Sequence, residues 1–135
     1  MQEKRGCTFG VATEGKIFLA GGLYEDLDGE LFCVKTCEMY NISTNEWQLI
    51  GSLNVPRDYG SMVCLKGTLY VLGGGTDGFW SSELSVECYN PTEDKWIKKT
   101  TIPMKMISKD NEDAFTGCVL KLSKGVLDKL DVIKE

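Results

Sequence analysis

The chain has 135 residues, 42% hydrophobic and 26% charged, with a net charge of −5, six cysteines and no histidine. That is enough for one globular domain with a real core, but its longest apolar runs fall far short of the ~20 residues of a membrane span. Its basic groupings (Lys98-Lys99 and Lys105) are too sparse for a nucleic-acid surface, and without histidine a Ser-His or Cys-His nucleophile pair is impossible.

Residues 1–6 contain no apolar signal segment, so the expected location is the cytosol, with the nucleus and the cytoskeleton as further settings. Residues 7–14 read as a short strand and Gly15-Lys16 as a tight turn. Residues 17–20 form a continuous apolar run, as in a strand buried on both faces, and Gly21-Gly22 supply the backbone freedom to leave it. An acidic, turn-rich loop is expected from Leu23 to Phe32. A third strand over residues 34–40 would place Val34, Thr36, Glu38 and Tyr40 on one face and Lys35, Cys37 and Met39 on the other. Turn chemistry at residues 41–45 then leads to a fourth strand, residues 46–50, carrying Trp47.

The same order then restarts. Strands are expected at 61–65, 68–72, 84–89 and 94–99, with Lys66-Gly67 as the first turn and Gly73-Gly74 after the second strand. The diglycines lie 52 residues apart, whereas Tyr40 and Tyr89, and Trp47 and Trp96, lie 49 apart. The three additional residues of the first copy therefore fall in its acidic loop, and the two copies are one unit with one insertion. Four antiparallel strands in about 50 residues describe a propeller blade, apolar on both faces and obliged to stack on neighbours.

The cysteines (Cys7, Cys33, Cys37, Cys64, Cys88 and Cys118) form no CxxC pair. Those in strands are expected to be small buried hydrophobes, and Cys33 with Cys37 is the one pair with metal or redox spacing. No metal or other cofactor is expected. Asp26-Leu27-Asp28-Gly29-Glu30 lacks the length of an EF-hand loop. Asn41-Ile42-Ser43 is a glycosylation sequon that a cytosolic chain would not use.

An apolar run ending in Gly21-Gly22, then Tyr40, six residues and Trp47, repeated as Gly73-Gly74, Tyr89 and Trp96, resembles the kelch repeat. Arg5 aligns with Arg57, and Glu38-Met39-Tyr40 with Glu87-Cys88-Tyr89. The resemblance implies an all-β, kelch-type β-propeller segment: two four-stranded antiparallel blades and one extra strand of an incomplete ring. The expected divisions are a lead-in 1–6, a first blade 7–54, a second blade 55–103, a loop and single closing strand 104–122, and a helix-like polar tail 123–135. A full ring would need roughly 300 residues, so the chain reads as the C-terminal part of such a domain.

In this fold the long loops gather on one face of the disc, where binding is expected. They offer Glu25, Asp26, Asp28, Glu30, Arg57, Tyr59, Asp77, Phe79 and Trp80. Arg and aromatic side chains are common interface anchors; the alternative for Arg57, at a blade start, is bonding to neighbouring loop carbonyls, and for Phe79-Trp80 it is packing over the top of the blade. The chain most resembles the kelch domain of BTB-kelch proteins. That likeness implies a non-catalytic module that captures a protein or peptide substrate, tied to a cullin ubiquitin ligase only through BTB and BACK domains not present here. Some kelch proteins bind actin, which gives the alternative partner. An oxidase branch of the superfamily holds copper partly through histidines, which this chain lacks.

Overall fold

The computed structural model describes residues 4–76 and 84–101. Among them every regular element is a strand. β1 (Phe9–Thr13), β2 (Lys16–Ala20), β5 (Cys37–Asn41) and β6 (Glu46–Ile50) form one antiparallel sheet in that spatial order. β7 (Ser61–Leu65), β8 (Thr68–Leu72), β9 (Ser85–Asn90) and β10 (Lys95–Thr101) form the second. Between β2 and β5 a separate hairpin stands out, β3 (Leu23–Glu25) with β4 (Leu31–Cys33).

The first turn of each sheet has positive φ at both central residues, Glu14 (49°) with Gly15 (71°) and Lys66 (51°) with Gly67 (79°). This is the hairpin geometry whose twist matches that of the flanking strands. The first turn is therefore centred one residue earlier than expected, because Lys16 already pairs with Thr13 in the ladder. The diglycines behave alike in both copies. Gly21 and Gly73 have φ near 60°, and Gly22 and Gly74 both have φ of 109°. A Cβ on Gly22 would lie 2.5 Å from the Gly6 carbonyl oxygen, and one on Gly74 2.3 Å from that of Asp58. Only glycine fits where the chain leaves the second strand against the incoming backbone.

The acidic loop and the third strand need correction. Pairing with β2 begins only at Cys37, opposite Ala20, while Leu23, Tyr24 and Glu25 pair with Cys33, Phe32 and Leu31. Gly22 and Val34 close the base of this hairpin through a 2.9 Å bond from the Val34 N–H to the Gly22 carbonyl. Within β5 the expected alternation holds, because Glu38 and Tyr40 share one face and Cys37 and Met39 the other.

The two sheets meet face to face around Phe9, Ala20, Cys37, Leu53, Met62, Leu69, Val71 and Trp96. A polar seam accompanies this apolar one. The Gly51 N–H donates to the Asp94 carboxylate (2.6 Å), and the Trp96 indole N–H donates to the Gly51 carbonyl (2.8 Å). A Cβ on Gly51 would come within 2.0 Å of the Asp94 carbonyl oxygen, so the close approach of the sheets depends on this glycine. The expected closing strand over residues 115–122 and the helix-like tail lie outside the described residues.

Candidate functional site

Each sheet carries a buried arginine on its own glutamate. Arg57 is fully buried. Its guanidinium donates to the carbonyls of Gly73 and Ser85 (both 3.1 Å), to the Ser85 hydroxyl (2.9 Å) and to the Glu87 carboxylate (2.5 Å). The other Glu87 oxygen accepts from the Asn54 backbone N–H (2.9 Å) and side-chain amide (2.6 Å). Arg5 repeats the arrangement on Thr36, through both its carbonyl and its hydroxyl, and on Glu38 (2.9 Å). Paired and multiply hydrogen-bonded, these charges are tolerable in the interior. The expectation of Arg57 as a surface contact is therefore corrected: its side chain holds the start of β7 to the ends of β8 and β9.

The same strut fixes the loops above it. The Arg57 N–H donates to the Val34 carbonyl (3.2 Å), its carbonyl accepts from Gly22 (2.8 Å), and the Tyr59 N–H donates to Cys7 (3.2 Å). Gly6 and Leu23 exchange both backbone bonds. The lead-in, the β3–β4 hairpin and the segment before β7 are thus laced into one surface. Its central feature is an open groove of about 740 Å³, lined by Lys4, Cys7, Tyr24, Glu25, Asp26 and Tyr59 among others.

Of the residues expected there, Glu25, Asp26 and Tyr59 line the groove, and Asp28 and Glu30 are exposed at the adjoining hairpin tip. Asp26 also has a structural duty, since one carboxylate oxygen accepts the N–H groups of Asp28 and Glu30 (2.9 Å each) and closes the turn. Tyr59 is 49% exposed. Its phenol is raised above the ordinary value, first by a hydrogen bond with the Cys7 thiol, and then by desolvation and the charge of Asp58. Asp77, Phe79 and Trp80 lie outside the described residues.

Sequence reasoning missed the apolar side of this surface. Tyr24, Leu27, Leu31 and Phe32 all project into solvent from the hairpin, with Tyr24 and Phe32 directly cross-strand. Asp28-Gly29 between two short apolar segments is a hairpin signal that would have found them. The cysteine pair is separated by the same feature. Cys33 ends β4, whereas Cys37 is buried in the seam, where desolvation pushes its thiol up to about 12. A thiol so raised is a poor nucleophile and metal ligand.

Away from the groove, a hollow of about 250 Å³ opens between the two sheets beside Lys16, Phe18, Cys64, Leu69, Tyr89 and Pro91. The Tyr89 hydroxyl donates to Asp94 (2.5 Å) close by, as Tyr40 donates to Asn45 in the first sheet. Burial raises the Tyr89 phenol, and the Tyr89 and Gly51 donors lower Asp94.

The Kelch motif family matches residues 4–54 and 56–102, one match per sheet. Beta-scruin of Limulus polyphemus is 32% identical over 92 residues, 67% of this chain and 10% of its own length. Kelch-like protein 35 of Mus musculus is 33% identical over 94 residues, 69% of this chain and 15% of its own. The chain thus spans a small part of the curated relatives it matches. Among solved structures, YjhT superposes with a TM-score of 0.65 at 14% identity, covering 74% of this chain and 39% of that one. A copper-containing fungal alcohol oxidase superposes with a TM-score of 0.63 at 19% identity, covering 76% and 23%. At such identities the structures speak to the fold, which is that of a partial, unclosed propeller. With a Kelch motif on each four-stranded sheet, this chain belongs to the kelch-repeat family.

Proposed function

We propose that the chain is a protein-recognition segment of a kelch propeller, holding a protein or peptide partner in the groove between the β3–β4 hairpin and Tyr59. The observation that carries this reading is the set of exposed Tyr24, Leu31 and Tyr59 lining an open groove, with exposed Phe32 paired across the hairpin from Tyr24. Scattered apolar side chains are ordinary on a surface; several gathered on one laced platform, three of them on a projecting hairpin, are the anchors of an interface. A groove of carboxylates, phenols and apolar side chains suits binding rather than a reaction.

In the wider protein we place this segment as the substrate-receiving part of a BTB-kelch adaptor for a cullin ubiquitin ligase, working in the cytoplasm. The kelch-like relative supports that setting. No disulfide joins the cysteines among the described residues, which suits a reducing compartment.

The test places a photo-crosslinking amino acid at Phe32, at Tyr59 or at Lys66 on the opposite face, in cells expressing the chain. A shared protein adduct from Phe32 and Tyr59, absent from Lys66, is the expected result, and co-purification of that partner with a cullin in cells expressing the full-length protein would establish the ligase setting. Adducts from Lys66 alone would overturn the groove, and co-sedimentation of the chain with actin filaments would replace the ligase setting with a cytoskeletal one.

A further inference from the structure

We infer that the groove selects a basic, apolar peptide segment: an extended stretch in which Arg or Lys alternates with aromatic or aliphatic residues. The inference rests on the groove being the binding site proposed above and adds the chemistry of its occupant.

Charge and shape point the same way. The hairpin residues 23–33 contain four acids, Glu25, Asp26, Asp28 and Glu30, and no base. Two further cations line the groove, but they are not equivalent. The Arg5 guanidinium is turned inward onto Glu38 and Thr36 and is neutralised by a buried carboxylate. Lys4 is exposed and stands alone against Glu25 and Asp26 along the groove, with Asp28 and Glu30 just beyond. Among the described residues of the groove and the adjoining hairpin tip, Lys4 against those four acids leaves a net charge of −3. Such a field favours cationic partners and repels acidic ones, and it accelerates their encounter.

The apolar side chains sit within the same field. Tyr24 and Phe32 are a cross-strand pair, Leu31 opens β4 opposite Glu25, and Tyr59 stands among the groove residues. A purely cationic ligand would leave these side chains in water, and a purely apolar one would bury carboxylates without counter-ions. A strand-like peptide alternates its side chains between two faces. One with bases on one face and apolar residues on the other meets both requirements. Arg is the better base, since its planar guanidinium can stack on the tyrosine rings while bonding a carboxylate.

The experiment uses the full 135-residue chain and four sets of short synthetic peptides matched in length. These alternate Arg with Phe or Leu, Glu with Phe or Leu, Ser with Phe or Leu, and Arg with Gly. Binding is read by fluorescence anisotropy for the wild type, for Glu25→Gln/Asp28→Asn/Glu30→Gln, and for Tyr24→Ser/Phe32→Ser. Asp26 is left intact because it closes the turn, and circular dichroism confirms that each variant is folded.

The Arg–apolar set should bind at least about tenfold more tightly than each of the other three. That advantage should shrink about tenfold in the charge variant, and also on raising the ionic strength from about 0.05 to about 0.5 M. Loss of Tyr24 and Phe32 should abolish it. If the Glu–apolar or Ser–apolar peptides bind as well and still depend on Tyr24 and Phe32, the groove stands and the basic specificity falls. Should binding of every set be indifferent to Tyr24 and Phe32, or absent, both the specificity and the groove are overturned.

Discussion

The two blades carry the same signature in different surroundings. Tyr40 and Trp47 in the first have ring centroids 5.0 Å apart at 39°, and Tyr89 and Trp96 in the second 5.3 Å apart at 42°. The geometry of the pair is thus built within a blade, by direct pairing across the third and fourth strands. Burial is not. Trp96 is 4% exposed because the first blade covers it, whereas Trp47 is half-buried. The second strands show the same contrast, with Leu69 and Val71 buried and their counterparts Ile17 and Leu19 half-buried. A kelch unit supplies its own shape and its own polar interior, and borrows its hydrophobic stability from a neighbour.

The comparison breaks most severely at the part each blade owns. Glu87→Ala should destabilise the chain by about 3–5 kcal/mol, because it strands the fully buried Arg57 and unties Asn54. Glu38→Ala should follow closely, and urea denaturation monitored by tryptophan fluorescence measures both. A loss below about 1 kcal/mol in either would refute the strut. Trp96→Ala should cost about 3–5 kcal/mol, while Trp47→Ala in the same chain should cost less than half as much. Equal losses would mean that burial is not what separates the blades.

Gly51→Ala tests the seam between them. Its methyl must displace the backbone at Asp94, so a loss of about 2 kcal/mol is expected, with faster hydrogen exchange across β6 and β10 as the local sign. The smallest effect concerns pH. Asp94 titrates below the ordinary carboxylate range because Tyr89 and Gly51 donate to its ionised form. Its contribution is complete above about pH 4 and fades as the pH falls through the lower native value. The first blade has Asn45 in that place, a neutral acceptor for Tyr40. Asp94→Asn should therefore retain the bonds from Tyr89 and Gly51 and flatten the acid limb of the stability curve. An unchanged slope from pH 5 to pH 2 would assign that limb to other carboxylates.

Most of the framework was legible in the sequence because a repeat states each element twice. Residues 46–50, 61–65 and 68–72 were delimited as the structure has them, and the diglycines marked the exits from β2 and β8. The β3–β4 hairpin was less visible because its loop holds the three additional residues of the first copy, where acidic residues masked two short apolar pairings. Arg57 was ambiguous for a different reason. A charged residue beside a loop reads as exposed until its counter-ion is found, and Glu87 lies thirty residues away in sequence. Arg5 and Glu38, separated by thirty-three, were the repeated clue.

The buried arginine–glutamate pair also bears on how such a chain can grow. Arg57 finds Gly73, Ser85 and Glu87 within its own repeat, as Arg5 finds Thr36 and Glu38. A duplicated segment therefore arrives with its interior guanidinium already neutralised and needs no counter-ion from whatever it lands beside. What remains to be matched at the new junction is apolar shape, which tolerates gradual substitution, and the few hydrogen bonds that Asn54 makes to Glu87 and Gly51 makes with Asp94 and Trp96. Tandem copying of this unit is thereby a problem of volume and of a few polar contacts, and not of charge.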